Sequence, residues 1–149
     1  MSAKLAQRLR QAGAIALDTV VFIYAFERHP TWGPVAHTVF QTLETGECSG
    51  CVSILALGEI LTGVKRAGNE TLALQYRALF RHFPNLTTVD AHWTVMEYAS
   101  DLRARYGIPM PDAIHLGTAL AWGARAFVTN DSRLCQVGEI EILLLSEFV

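Results

Sequence analysis

The stretch Ala14-Ile15-Ala16-Leu17-Asp18-Thr19-Val20-Val21-Phe22-Ile23-Tyr24-Ala25-Phe26 decides the fold. Its opening is a short apolar run that ends in an acid at Asp18, and it reads as a buried strand. Thr19 to Phe26 reads as the helix that follows, although it is rich in β-branched residues. The same alternation continues outward to both ends of the chain. Before it, Leu5, Leu9 and Ala12 fall on one side of a short amphipathic helix that also carries Lys4, Arg8 and Arg10. After it, Pro30 and Pro34 bracket a loop, Val35 to Leu43 is helical, and Gly46 stops it. Cys48 to Ser53 is a strand, Ile54 to Arg66 a helix with Gly68 beyond it, and Glu70 to Phe83 a helix ended by Pro84. Leu86 to Val89 is a strand, and Ala91 to Tyr106 is a long helix stopped by Gly107. Pro109-Met110-Pro111 precedes a helix to about Trp122, with Gly123 at its end. Arg125 to Thr129 is a strand, Ser132 to Cys135 a short helical turn, and Ile140 to Leu145 the last strand. Strands separated by helical crossovers imply a three-layer α/β/α architecture with a mostly parallel sheet of about five strands. One domain over residues 1–149 is expected.

Composition narrows the function. The chain has 149 residues, 51% apolar and 17% charged, with a net charge of −2; mean hydropathy is +0.26 and the pI about 6.2. These values exclude intrinsic disorder and a polybasic nucleic-acid or membrane binder. The longest apolar run, Val20 to Phe26, is far too short to cross a membrane. The basic residues near the start are followed by no apolar core, so no secretory signal is expected and the cytoplasm is the expected location. Three cysteines argue against a disulfide framework.

In an open parallel sheet, ligands collect outside the carboxyl ends of the strands. Asp18 ends the first strand, and Asp131 lies two residues past the Ala126–Thr129 strand. Asp112 opens a helix whose start lies at that same edge. Glu59 is in the second turn of the helix that leaves Cys51-Val52-Ser53. Each has a plainer role available. Asp18 and Asp131 suit helix caps, and Asp112 suits a helix macrodipole. Glu59 is harder to explain so, because it sits in Ile54-Leu55-Ala56-Leu57-Gly58-Glu59-Ile60-Leu61, where a lone charge is costly. Four acids meeting at one rim repel each other unless a cation lies between them. An all-oxygen set suits Mg²⁺ or Mn²⁺, and such ions activate water for phosphoryl chemistry.

Four segments carry a resemblance: Leu17-Asp18-Thr19, Ser53 to Leu61, Pro111-Asp112-Ala113-Ile114-His115-Leu116-Gly117-Thr118-Ala119-Leu120, and Phe127-Val128-Thr129-Asn130-Asp131. In that order and at those separations they resemble the PIN domain, most closely the VapC type of toxin ribonuclease, from about residue 14 to the end. The resemblance implies a Mg²⁺- or Mn²⁺-dependent endoribonuclease, usually a homodimer, with an antitoxin that covers or enters the active site. It assigns the metal-binding and catalytic roles to Asp18, Glu59, Asp112 and Asp131. Thr19 matches the hydroxyl after the first acid, and Thr129 and Asn130 the polar positions before the last, supporting the acids from behind. Val20 departs from the pattern, since many members carry Ser or Asn there. The segment before Asp18 is also longer than in many members.

Other residues bear on function less directly. Cys48-Ser49-Gly50-Cys51 enters a strand instead of opening a helix, and Cys135 supplies no second pair for zinc. His115 lies three residues from Asp112 on one helix face and is a candidate substrate contact, with burial against the sheet as the plainer role. Arg133, two residues from Asp131, is the preferred phosphate contact. Arg28, Lys65, Arg66, Arg103 and Arg105 lie near helix ends, where cations suit the dipole. Weak basic patches joined in a dimer would give an acidic protein a groove for RNA. Phe22, Tyr24, Phe26, Trp32 and Phe40 make the first third aromatic, mostly core, and some of them suit a groove for an antitoxin helix or a second subunit. The competing function is a catalytically weakened RNA-binding or scaffold module, for which Val20 is the main support. A phosphoacceptor domain fits less well: the only lysines are Lys4 and Lys65, and no D-x-D stands at Asp18.

Overall fold

The computed structural model describes residues 2–149. Five short strands form one sheet: β1 (Ala14–Leu17), β2 (Ser49–Ser53), β3 (Leu86–Val89), β4 (Ala126–Thr129) and β5 (Glu141–Leu144). Their order is β3-β2-β1-β4-β5, and every pairing is parallel. Helices α1 (Ser2–Ala12), α2 (Thr19–Phe26), α3 (Gly33–Glu44), α4 (Ile54–Arg66), α5 (Glu70–His82), α6 (Trp93–Tyr106) and α7 (Met110–Trp122) surround it. Short 3₁₀ turns follow β4, at Ser132–Gln136, and β5, at Leu145–Phe148.

Alternation along each strand assigns side chains to two cores. Ile15 and Leu17 of β1, Val52 of β2, Val128 of β4 and Leu143 of β5 pack with Leu5 and Leu9 of α1, Phe40 of α3 and Tyr76 of α5. Ala16, Cys51 and Phe127 point the other way, toward Leu102 of α6, Leu116 of α7 and Leu134 of the first 3₁₀ turn. This is the expected three-layer arrangement. On the second face α6 and α7 meet closely: a Cβ on Gly117 would lie 2.7 Å from the Val95 carbonyl oxygen and 3.0 Å from the Ala99 nitrogen. Only glycine lets those backbones touch. Among the described residues, no helix is long and apolar enough to cross a membrane.

Several element ends differ from expectation, each for a local reason. Pro34 lies inside the first turn of α3 instead of in the loop, where its missing N–H costs nothing. Pro111 is likewise inside α7. Phe83 leaves α5 in an extended conformation (φ −63°, ψ 130°) because Pro84 follows it. The long α6 starts at Trp93 and not Ala91, ending at Gly107 with φ 67°. Asp18 stands just past β1 as the cap of α2.

The chain leaves β1 toward β2 and β3, then crosses back to β4 and β5. The reversal falls between β1 and β4, and strand ends diverge there into a crevice. At its carboxyl end the β1–β4 ladder closes with the Asp18 N–H donating to the Val128 carbonyl at 2.9 Å.

Candidate active site

A cleft of about 620 Å³ opens at this reversal. All four acids expected at the rim line it, together with Thr19, His115, Thr129, Asn130 and Arg133. Val20, Ile23, Tyr24 and Ser132 complete the wall.

Asp18 is buried, at 8% exposure. One carboxylate oxygen accepts the Thr19 N–H at 2.8 Å, and the other accepts the Thr129 hydroxyl at 2.6 Å. The cap role anticipated for Asp18 is therefore present, and it fixes the carboxylate at the cleft. The Thr129 hydroxyl in turn accepts the Asp131 N–H at 3.1 Å, so one buried side chain ties the first acid to the last.

Glu59 is held from two sides. The Thr19 hydroxyl donates to its Oε1 at 2.7 Å, and His115 Nε2 meets the same oxygen at 2.7 Å. A carboxylate only accepts, so Nε2 carries the hydrogen. His115 is 3% exposed, and its Nδ1 has no partner among the described residues. The ring reaches the cleft as a brace for Glu59. These bonds, the one from His115 foremost, hold Glu59 below the ordinary carboxylate value against the opposing effect of its partial burial.

Asp112 stands in contrast. It lies in the first turn of α7. Burial pushes its carboxyl upward, the charges of Asp18 and Asp131 add to that, and no hydrogen bond offsets it. Asp131 is half closed by its neighbour. Arg133 Nε lies 3.0 Å from Oδ1 and 3.2 Å from Oδ2, and a terminal nitrogen lies 2.6 Å from Oδ2. The Arg133 N–H donates to Oδ1 at 3.0 Å, which is the cap anticipated for the short turn. That guanidinium holds the Asp131 carboxyl below its ordinary value. Asn130, also in the cleft lining, accepts the Ser146 N–H on its side-chain oxygen at 3.0 Å, which pins the loop to the C-terminal turn.

Among the described residues, no three His, Cys, Asp or Glu side chains stand close enough together to hold a metal ion as they are placed. The donors that face the cleft nevertheless suit a hard cation. They are carboxylate and hydroxyl oxygens, the one imidazole is engaged by Glu59, and Asp112 is an acceptor with no donor. The thiols lie elsewhere. Cys48 and Cys51 are free and buried, and burial pushes them up to about 11 and about 12, which leaves them protonated and inert. Several arginines at helix ends are engaged: Arg105 pairs with Glu139, and Arg103 Nε donates to the Ile108 carbonyl at 3.0 Å.

The resemblance marked Thr19 and Thr129 as supports, but which acid each side chain braces had no signal in the sequence. Thr129 and Asp18 are 111 positions apart, and His115 and Glu59 are 56 apart. His115 shares a helix face with Asp112 but bonds to Glu59. The only cue was the type of residue next to each acid.

Fold and site define a class: a doubly wound α/β protein with an acidic crevice at the switch point of its sheet. Residues 15–140 match the PIN domain. The chain belongs to the PIN domain family, a family of nucleases. No curated protein sequence matches it significantly. Solved structures do. VapBC2 from Rickettsia felis bound to a DNA fragment from its promoter aligns with a TM-score of 0.71 at 19% identity, covering 88% of this chain and 98% of that one. A toxin–antitoxin complex from Klebsiella pneumoniae gives 0.66 at 19% identity, covering 88% and 97%. DNA-bound VapBC from Salmonella typhimurium gives 0.66 at 19%, covering 89% and 98%. At that identity the likeness is one of fold.

Proposed function

We propose that the protein is a Mg²⁺- or Mn²⁺-dependent endoribonuclease of the VapC type, the toxin of a toxin–antitoxin pair. It is one PIN domain over residues 1–149, acts in the cytoplasm, and pairs as a homodimer restrained by an antitoxin protein. One observation carries this reading: Asp18, Glu59, Asp112 and Asp131 line a single cleft although they come from four distant segments. The similarity in fold to toxin–antitoxin complexes supports the partner.

Asp18, Glu59, Asp112 and Asp131 would hold the ion. A divalent ion bound there supplies an attacking water at neutral pH and offsets charge on the cleaved phosphate. Thr19 and Thr129 keep Asp18 in one rotamer, and His115 and Thr19 do the same for Glu59. Such braces preorganise the acids, so that little is reordered when RNA arrives. Asp112 contributes negative charge that His115 and Arg133 offset only in part, which favours cation capture. Arg133 offers a planar cation at the edge of the cleft for a backbone phosphate.

The test is RNA cleavage by the purified chain with Mg²⁺ or Mn²⁺, against chelator, and by Asp18→Asn and Asp112→Asn. Cleavage that needs the ion and both acids is expected. Cleavage that persists in both variants removes the mechanism. RNA binding without any cleavage by the unaltered chain favours the weakened RNA-binding or scaffold module, for which apolar Val20 in the cleft wall speaks.

A further inference from the structure

We propose that Arg133 works in two positions, closing Asp131 in the free protein and releasing it when a nucleic-acid phosphate takes the guanidinium. This rests on the metal site proposed above and adds a mode of regulation to it.

Both oxygens of Asp131 face Arg133, through three side-chain contacts of 3.0, 3.2 and 2.6 Å. In that state the carboxylate cannot turn a free edge into the cleft. The acid itself has little freedom to escape. Its N–H is bonded to Thr129 at 3.1 Å, its carbonyl accepts the Leu134 N–H at 3.1 Å, and Asn130 beside it is fastened to Ser146. The arginine is the mobile partner. Its side chain is 70% exposed, against 26% for Asp131, and Asp131 is its one ion-pair partner among the described residues.

An ion pair whose cation is this exposed is screened by water and contributes no more than about a fivefold preference. A phosphodiester offers the same planar two-oxygen edge as a carboxylate, so it competes for the guanidinium on equal geometric terms. When it wins, Asp131 regains both oxygens for a cation. Cation and phosphate then favour each other's binding, and by linkage the effect is reciprocal. The protein without nucleic acid holds its ion weakly, and the arriving strand completes the site.

The experiment is calorimetric titration of Mn²⁺ into the full chain and its Arg133→Ala and Arg133→Lys variants. Each is titrated free and saturated with a single-stranded oligodeoxynucleotide, with ion bound by the oligonucleotide alone subtracted. The unaltered chain should bind Mn²⁺ about fivefold tighter with the oligonucleotide, the scale of one exposed pair. Arg133→Ala should bind free Mn²⁺ about fivefold tighter than the unaltered chain, with no further gain from the oligonucleotide. Arg133→Lys keeps the charge but loses the fork, and it should also tighten free binding.

Tightening in the alanine variant but not the lysine variant would show simple charge repulsion and overturn the inference. So would equal Mn²⁺ affinity in all three proteins, or an unaltered chain indifferent to the oligonucleotide. Absence of Mn²⁺ binding in all three at millimolar concentration would strike the metal-site reading itself.

Discussion

Asp18 and Asp112 stand on one rim in opposite surroundings. Asp18 accepts a backbone N–H on one oxygen and a buried hydroxyl on the other, whereas Asp112 faces the charges of Asp18 and Asp131 with no donor of its own. The first acid is part of the fold: it caps α2 and bridges to β4 through Thr129. The second is held in place by α7, and the nearby charges of His115 and Arg133 offset only part of what burial and the other acids cost it. A folding requirement explains the first and not the second. The difference separates residues that build the cleft from residues that wait for something to enter it.

Replacing each acid by alanine is the sharpest way to break that comparison. Both variants should lose RNA cleavage by at least about a hundredfold, since each removes part of the charge that holds the ion. Their stabilities should part. Asp18→Ala loses the cap and the Thr129 bond and should fall by about 2 kcal/mol in denaturant unfolding. Asp112→Ala loses a favourable helix-dipole term of at most about 1 kcal/mol but also sheds repulsion, and should stay near the unaltered chain. Equal destabilisation of the two would erase the distinction.

Thr129→Val sharpens it from the other side. The side chain is fully buried and valine has nearly its shape, so the change removes the hydroxyl alone. Asp18 loses a donor and the Asp131 N–H loses its acceptor. Stability should fall by about 2 kcal/mol, and cleavage about tenfold, because Asp18 keeps its charge but loses its fixed rotamer. A variant as inactive as Asp18→Ala would mean that Thr129 does more than position.

The acids were legible from the sequence and two of their supports, Thr19 and Thr129, through the resemblance, but the bonds those supports make were not. An acid at the end of an apolar strand locates Asp18, and the crossover pattern sends Asp112 and Asp131 to the same edge. A carboxylate within Leu57-Gly58-Glu59-Ile60 marks itself by its desolvation cost. These are properties of position and need only the order of elements. The bonds from Thr129 to Asp18 and from His115 to Glu59 depend on rotamers and on how α4 and α7 meet, which no local pattern records. Spacing put His115 on the face of Asp112 and named no partner, whereas the buried ring bonds to Glu59. Element ends slipped for a related reason. Pro34 read as the end of a loop and Pro111 as lying before a helix, yet both sit inside the first turn, where the missing N–H is harmless.

Metal-linked stability tests what Asp112 awaits. A carboxyl whose folded value is raised favours folding below its ordinary 3.8, and that contribution is lost as pH rises through the raised value. The free protein at neutral pH therefore carries the repulsion in full, and a cation relieves it. Mn²⁺ at tenfold its dissociation constant should add about 1.4 kcal/mol at pH 7. Near pH 4 the gain should shrink, because protons compete for the same oxygens. Denaturant unfolding at the two pH values checks both, and Asp112→Ala should lose most of the gain.

The smallest effect concerns Glu59, whose surroundings place it with Asp18 and not with Asp112. Its carboxyl is lowered, chiefly by His115, so its contribution is present above the ordinary 4.5 and lost as pH falls through the lower folded value. That dependence is opposite in sign to that of Asp112. His115→Leu removes the donor and should flatten the loss of stability below pH 4.5. The Thr19 bond remains, and the Glu59 side chain is 39% exposed, so water screens much of the difference. The change at pH 7 should be under about 1 kcal/mol. It is reduced further because leucine also removes the unpartnered Nδ1 from the interior. Unfolding measured across this range should thus show a change in slope with little change in level. A large drop at pH 7 would make His115 a core residue whose bond to Glu59 is incidental, and Glu59 would then join Asp112 among the acids that the fold leaves unsupported.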